Sequence, residues 1–160
     1  MNSKGFQNLL EGTTWSKDVV VWVGSGDALS AVLENKRHLE IDLLGLFPED
    51  ESLPTSREDR AQLLKQKLDR KLREIKPSGS ERLILHVLNA PLLARYGVGL
   101  QYFYDWFGGS QTLAILEINR VKSVQLPSDA TEAISFDPDW LVEYFRPLLA
   151  KPDNLCTEVD

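Results

Sequence analysis

A single cysteine, Cys156, leaves no partner for an internal disulfide, so packing must hold the fold, and a reducing compartment suits such a chain. Histidine is scarce too. His38 and His86 are the two present, too few for a zinc site without cysteines or a third nearby ligand. No apolar run approaches the roughly 18 residues that a membrane-spanning helix needs. The opening stretch, Met-Asn-Ser-Lys-Gly-Phe-Gln-Asn-Leu-Leu, lacks the long apolar core of a secretory signal. A soluble, cytoplasmic protein is the expectation. Positive charge is also in deficit: 18 Lys and Arg against 24 Asp and Glu leave a net −6. That is the wrong sign for a general coat on nucleic acid.

What is present is an alternation of apolar runs and helical patterns. Val19–Val23, His38–Leu44, Arg82–Leu88 and Thr112–Ile118 read as strands, and the unbroken apolar character of most of them favours a sheet covered on both faces. Val124–Leu126 and Ile134–Phe136 are shorter candidates for edge strands. Between the main strands, Thr55-Ser-Arg-Glu58 matches a capping box. Ala61, Leu64, Leu68, Leu72 and Ile75 follow it at helical steps of three and four. Leu92–Phe107 carries another helical pattern, weakened at Gly97 and Gly99, and Asp137-Pro-Asp-Trp140 opens a last helix with an acidic cap and a proline at its first position. The implied fold class is α/β: three layers, a mostly parallel sheet with flanking helices, P-loop or Rossmann-like, in one domain. The domain spans 1–150, and 151–160 reads as an acidic C-terminal tail.

The chain centres on Val23-Gly-Ser-Gly-Asp-Ala-Leu29, a strand, a glycine turn and a helix, which is the layout of a phosphate cradle. A working phosphate loop adds a lysine against the charge and a hydroxyl for magnesium. Here Gly24, Ser25 and Gly26 are followed by Asp27, a carboxylate that repels phosphate. The third strand ends in Asn89, where phosphate-loop enzymes place an acid to order magnesium. Gly24, Ser25, Gly26, Asp27 and Asn89 therefore form a degenerate phosphate-loop position, and no cofactor or metal is expected. On the bland reading the glycines merely permit a tight turn capped by Ser25 or Asp27.

This order of elements resembles the small phosphate-loop-fold accessory proteins of bacterial phage-exclusion (BREX-type) systems. The likeness rests on the Val-Gly-Ser-Gly turn with its following Ala-Leu, on Leu39-Glu-Ile-Asp-Leu-Leu-Gly-Leu46, on Leu83–Asn89 leading into Pro91-Leu-Leu, and on Thr112-Leu-Ala-Ile-Leu-Glu. It covers roughly residues 18 to 120 as architecture. The chain departs from intact members at the lysine and the strand-end acid. The resemblance implies a subunit of a defence complex.

Glu40, Asp42 and Glu117 lie on strands and suit a magnesium-dependent nuclease, against the plain reading that they face solvent or pair with arginine. His86, within an apolar strand, reads as a hydrogen-bonded core residue, and Trp22 and Trp140 read as core. Cys156 has no histidine partner to activate it. The helix over 55–76 places Arg60, Lys67 and Lys71 on one ridge, open to a phosphate backbone or an acidic partner, or else a solvated face with pairs such as Asp69 to Arg73. Tyr102-Phe-Tyr-Asp-Trp-Phe107 packs aromatics more densely than one buried helix face accepts. Tyr102, Tyr104 and Trp106 are thus candidates for an interaction surface, or for packing under a neighbouring loop. The leading expectation is a non-catalytic interaction or scaffold subunit of a multi-component bacterial complex. The alternatives are a divergent nucleotide-binding or nuclease subunit, and a nucleic-acid accessory protein using the basic helix.

Overall fold

The computed structural model describes residues 2–12, 18–47, 54, 56–75, 82–106, 111–119, 124–125, 133–134 and 137–157. In chain order the elements are α1 (Ser3–Glu11), β1 (Asp18–Gly24), α2 (Gly26–Leu33), β2 (His38–Asp42), α3 (Arg57–Glu74), β3 (Leu83–Leu88), α4 (Pro91–Tyr96), α5 (Gln101–Trp106), β4 (Thr112–Asn119), β5 (Val124–Gln125), β6 (Ala133–Ile134), α6 (Pro138–Phe145) and β7 (Leu155–Thr157). Five strands, ordered β2-β3-β4-β1-β7, form one all-parallel sheet. Helices cover both of its faces. The chain is a single-domain, three-layer α/β fold of the Rossmann or phosphate-loop kind.

The continuous apolar runs are explained by the two cores they feed. Successive side chains on a strand point to opposite faces. Val19, Val21 and Val23 of β1 therefore join Leu85, Val87 and Leu116 under α3 to α6, where Leu64, Leu68, Phe103, Leu141 and Phe145 are buried. Val20 and Trp22 turn the other way and meet Ile84, Leu113, Ile115 and Cys156 beneath Phe6 and Leu10 of α1 and Leu29 and Leu33 of α2. Both faces of β1 are dry, so alternation with polar residues is absent by necessity.

Local signals place most helix ends. Ser56, not Thr55, caps α3: its hydroxyl accepts from Asp59 N at 3.1 Å, so the cap lies one residue later than the sequence motif, and Thr55 lies outside the described residues. Gly97 adopts a left-handed φ of 68° and ends α4, which splits the pattern over 92–107 into two short helices. Asp137 caps α6 through Asp139 N at 3.0 Å, with Pro138 at the first position.

Two expectations need correction. The stretch read as a C-terminal tail supplies the sheet's fifth strand. β7 pairs with the free side of β1, Cys156 is buried, and Asn154 donates from Nδ2 to the Val19 carbonyl at 3.1 Å. Three residues are too few to carry a legible period. The segments 124–125 and 133–134 pair with each other as a separate antiparallel ribbon rather than edging the main sheet.

Candidate functional site

In parallel sheets the crevice opens where adjacent strands send their connections to opposite faces. β1 leads into α2 on one face, and β4 leads towards α6, whose Leu141 and Phe145 belong to the other core. The switch therefore falls between the carboxyl ends of β1 and β4, where Gly24 lies in register with Asn119. The turn through Gly24, Ser25 and Gly26 and the exposed Asp27 stand at that point, whereas Asn89 lies one strand away, after the end of β3.

The turn itself is tied down from below. Trp22 donates its indole N–H to the Ser25 carbonyl at 3.2 Å. The Ser25 hydroxyl accepts from Ala28 N at 3.4 Å and serves as the cap of α2. Asp27 is exposed in the first turn. Of the two candidate caps, Ser25 does the work and Asp27 is left as surface charge.

A second carboxylate lies beneath the turn. A Cβ added at Gly26 would stand 3.1 Å from Glu117 Oε1 and 2.9 Å from Asn119 Nδ2. Glycine at this position thus lets β4 side chains approach the first residue of α2. A helix amino terminus favours negative charge, and here the chain supplies that charge itself. Glu117 is 8% exposed and, among the described residues, forms no ion pair with lysine or arginine. The expectation that it faces solvent or pairs with arginine is therefore corrected: β4 is interior and its neighbours on this face are Trp22 and His86.

His86, 2% exposed, stands between two acids. Its Nε2 is 3.4 Å from Glu117 Oε1, and its Nδ1 is 3.8 Å from Glu40 Oε1. The residue is buried as expected, but Nε2 has no hydrogen-bond partner among the described residues. His38 lies at the sheet edge, its Nε2 4.0 Å from the same Glu40 oxygen, with Nδ1–H donating to the Lys36 carbonyl at 2.9 Å. A row of ionisable groups therefore runs from the exposed edge of β2 to the buried foot of α2.

At the end of β3, Asn89 takes a left-handed φ of 59°, which asparagine tolerates better than most residues. Its side-chain amide donates to Asp42 Oδ1 at 2.6 Å, and the same oxygen accepts from Leu44 N at 3.0 Å. Asn89 is thereby committed to fastening the β2 and β3 ends. Among the described residues no three His, Cys, Asp or Glu side chains converge on a metal position.

Comparison with protein-family models, with curated proteins and with solved structures gives no match.

The other sequence-derived candidates lie away from this turn, on α3 and α5. Tyr102 and Tyr104 are half-buried, packed against the larger core, and the Tyr104 hydroxyl accepts from Ala150 N at 3.0 Å. Trp106 is buried and donates its indole N–H to the Ile75 carbonyl at 2.8 Å. The aromatic surplus is absorbed because α5 packs against both α3 and the residues after α6. Among the described residues the outward-facing tryptophan is Trp140, expected in the core yet 49% exposed. It stacks on Tyr144 with ring centroids 5.9 Å apart, and Leu148 on the following turn is exposed. On α3, Arg60 donates from Nε to the Pro54 carbonyl at 2.7 Å, Lys67 is half-buried and Lys71 is exposed. Asp69 and Arg73 pair at 3.2 Å, the ion pair expected of a solvated face. Among the described residues no helix is long and apolar enough to cross a membrane.

Proposed function

We propose that this chain is a non-catalytic, phosphate-loop-like α/β subunit that binds other proteins within a multi-component bacterial assembly. The observation that carries the reading is the carboxylate of Glu117 against Gly26 with Asp27 beside it. A triphosphate entering the turn meets two negative side chains, and no ammonium follows the last glycine. Coulomb repulsion between unit charges about 4 Å apart is on the order of 4 kcal/mol near a protein surface, enough to cancel what a short helix terminus offers an anion. The resemblance to phage-exclusion accessory proteins points the same way and suggests a defence complex.

The surface for association is the stacked pair Trp140 and Tyr144 with Leu148. Rigid aromatic rings bury much area for little lost entropy, and tryptophan and tyrosine dominate interface energetics. Stoichiometric co-purification of a partner with tagged protein from native cells, lost in Trp140→Ala, is the expected result. Equal recovery of the same proteins with both forms, together with magnesium-dependent nucleotide turnover by the isolated chain, would overturn the proposal.

A nuclease is the second reading. Glu40 and Asp42 of β2 lie on the same sheet face as Glu117 of β4, the face such an enzyme would use for its carboxylates, although among the described residues they do not converge on one metal position. It requires magnesium-dependent cleavage of DNA or RNA that disappears in Asp42→Ala.

A further inference from the structure

β2 ends the sheet on one side, and its main chain is used on its inner side. The Arg37 carbonyl accepts from Ile84 N at 3.4 Å, and Leu43 N donates to the Leu88 carbonyl at 3.1 Å. Leu39 and Ile41, opposite Leu85 and Val87, continue that series. Main-chain groups alternate sides along a strand, so those of His38, Glu40 and Asp42 point away from the sheet. Among the described residues no strand pairs with that side. Leu39 is 43% exposed, and Glu40 and Asp42 are exposed too. Edge strands are normally blunted by lysine, proline or a bulge. Here the sign of charge changes along the strand: Lys36 and Arg37 precede it, His38 begins it, and Glu40 and Asp42 end it.

We infer that β2 pairs antiparallel with β2 of a second copy of this chain, across a two-fold axis at Leu39, so that the two five-stranded sheets become continuous. A two-fold axis presents the same patch of both copies to each other and sets the positive end of one strand against the negative end of the other. Outward-facing residues must meet outward-facing residues, so the axis passes through a residue and not between two. At Glu40 it would oppose two glutamates, and at Ile41 it would oppose Glu40 to Asp42; like charges directly across a ladder are destabilising. At His38 it would set Leu39 against Arg37. At Leu39 it sets His38 opposite Glu40 twice and brings Lys36 abreast of Asp42 twice. On the other face the two exposed leucines meet at a non-hydrogen-bonded position, where side chains approach most closely. His38 Nδ1 is engaged by the Lys36 carbonyl, and Nε2 already faces Glu40 of its own chain at 4.0 Å, so a proton there is shared between the carboxylates of both copies. This contact is separate from the Trp140 surface on α6 and does not depend on it.

Sedimentation equilibrium of the full chain up to about 500 µM reads the association, since so small an interface belongs to the weak class. A monomer–dimer equilibrium is expected. Leu39→Lys, an exposed change that places like charges at the axis, should weaken it about tenfold or more. Glu40→Lys should weaken it as well, and adding His38→Glu should restore it, because the swap again sets opposite signs across the ladder. Crosslinking reads the register. Cys156 is buried, so Leu39→Cys should give a disulfide-linked dimer with oxidised glutathione as electron acceptor. Glu40→Cys should link far more slowly, because its two copies stand a diagonal apart, roughly 7–8 Å, beyond the reach of a disulfide. If the swapped variant misfolds, Leu39→Cys in the otherwise native chain still decides. A chain that stays monomeric throughout, a dimer indifferent to Leu39→Lys, or one lost in Trp140→Ala instead would each overturn the pairing. So would crosslinking that favours Glu40→Cys, or protection of the Glu40 amide that appears only in complex with another protein.

Discussion

Asn154 reaches from the short turn before β7 to the main chain of Val19, its Nδ2 donating to the Val19 carbonyl at 3.1 Å inside the protein. This bond pins the last strand to the central one. Replacing Asn154 by alanine leaves a buried carbonyl without its donor, which costs about 1–3 kcal/mol. Urea unfolding of Asn154→Ala should show that loss, and an unchanged midpoint would mean that β7 adds nothing to the sheet.

The interior stripe of α3 should be far more sensitive than its charged face. Leu68 is fully buried against the larger core, and truncation to alanine there costs about 2–5 kcal/mol. Lys71→Ala, on the exposed side, should stay within about 0.5 kcal/mol of the parent. Thermal unfolding of the two variants checks the contrast.

Trp106 and Trp140 should behave as opposites. Trp106→Phe removes the bond to the Ile75 carbonyl and should destabilise by about 1 kcal/mol with association untouched. Trp140→Ala should leave stability within about 0.5 kcal/mol while abolishing capture of the partner. Unfolding curves and pull-downs on the same two proteins read both effects.

Alkaline pH should weaken the fold through two tyrosines. Burial raises the phenols of Tyr104 and Tyr144 above the ordinary 10.0. At Tyr104 the bond from Ala150 N opposes this, Asp18 adds to it and Lys151 subtracts; at Tyr144 Arg57 opposes. The folded state therefore holds these protons more tightly than the unfolded chain. The contribution is complete below about pH 10 and is lost as pH rises through the folded values. Stability measured from pH 9 upward should fall less steeply in Tyr104→Phe with Tyr144→Phe than in the parent.

Much of this architecture was legible in the residues because local periodicity and burial agree. Val19–Val23 reads as a two-sided strand and is one; the Leu64, Leu68 and Leu72 stripe marks the inner face of α3. The glycine turn and its acid were also visible. What the residues conceal is adjacency. Nothing local to His86 or Glu117 says that β3 and β4 are neighbours, so their pairing under α2 emerges only from the strand order. For the same reason Asn89 reads as a lost acid, when its amide is fastened to Asp42. Trp140 misleads because an aromatic at helical spacing suits a core or an interface equally, and only the fold decides which face is outward.

Isothermal titration with magnesium-ATP is the most direct test of the central claim, that the turn after β1 does not hold nucleotide. With Glu117 and Asp27 at the site, no saturable heat is expected at millimolar ligand. Micromolar affinity, abolished by Gly26→Ala, would contradict it.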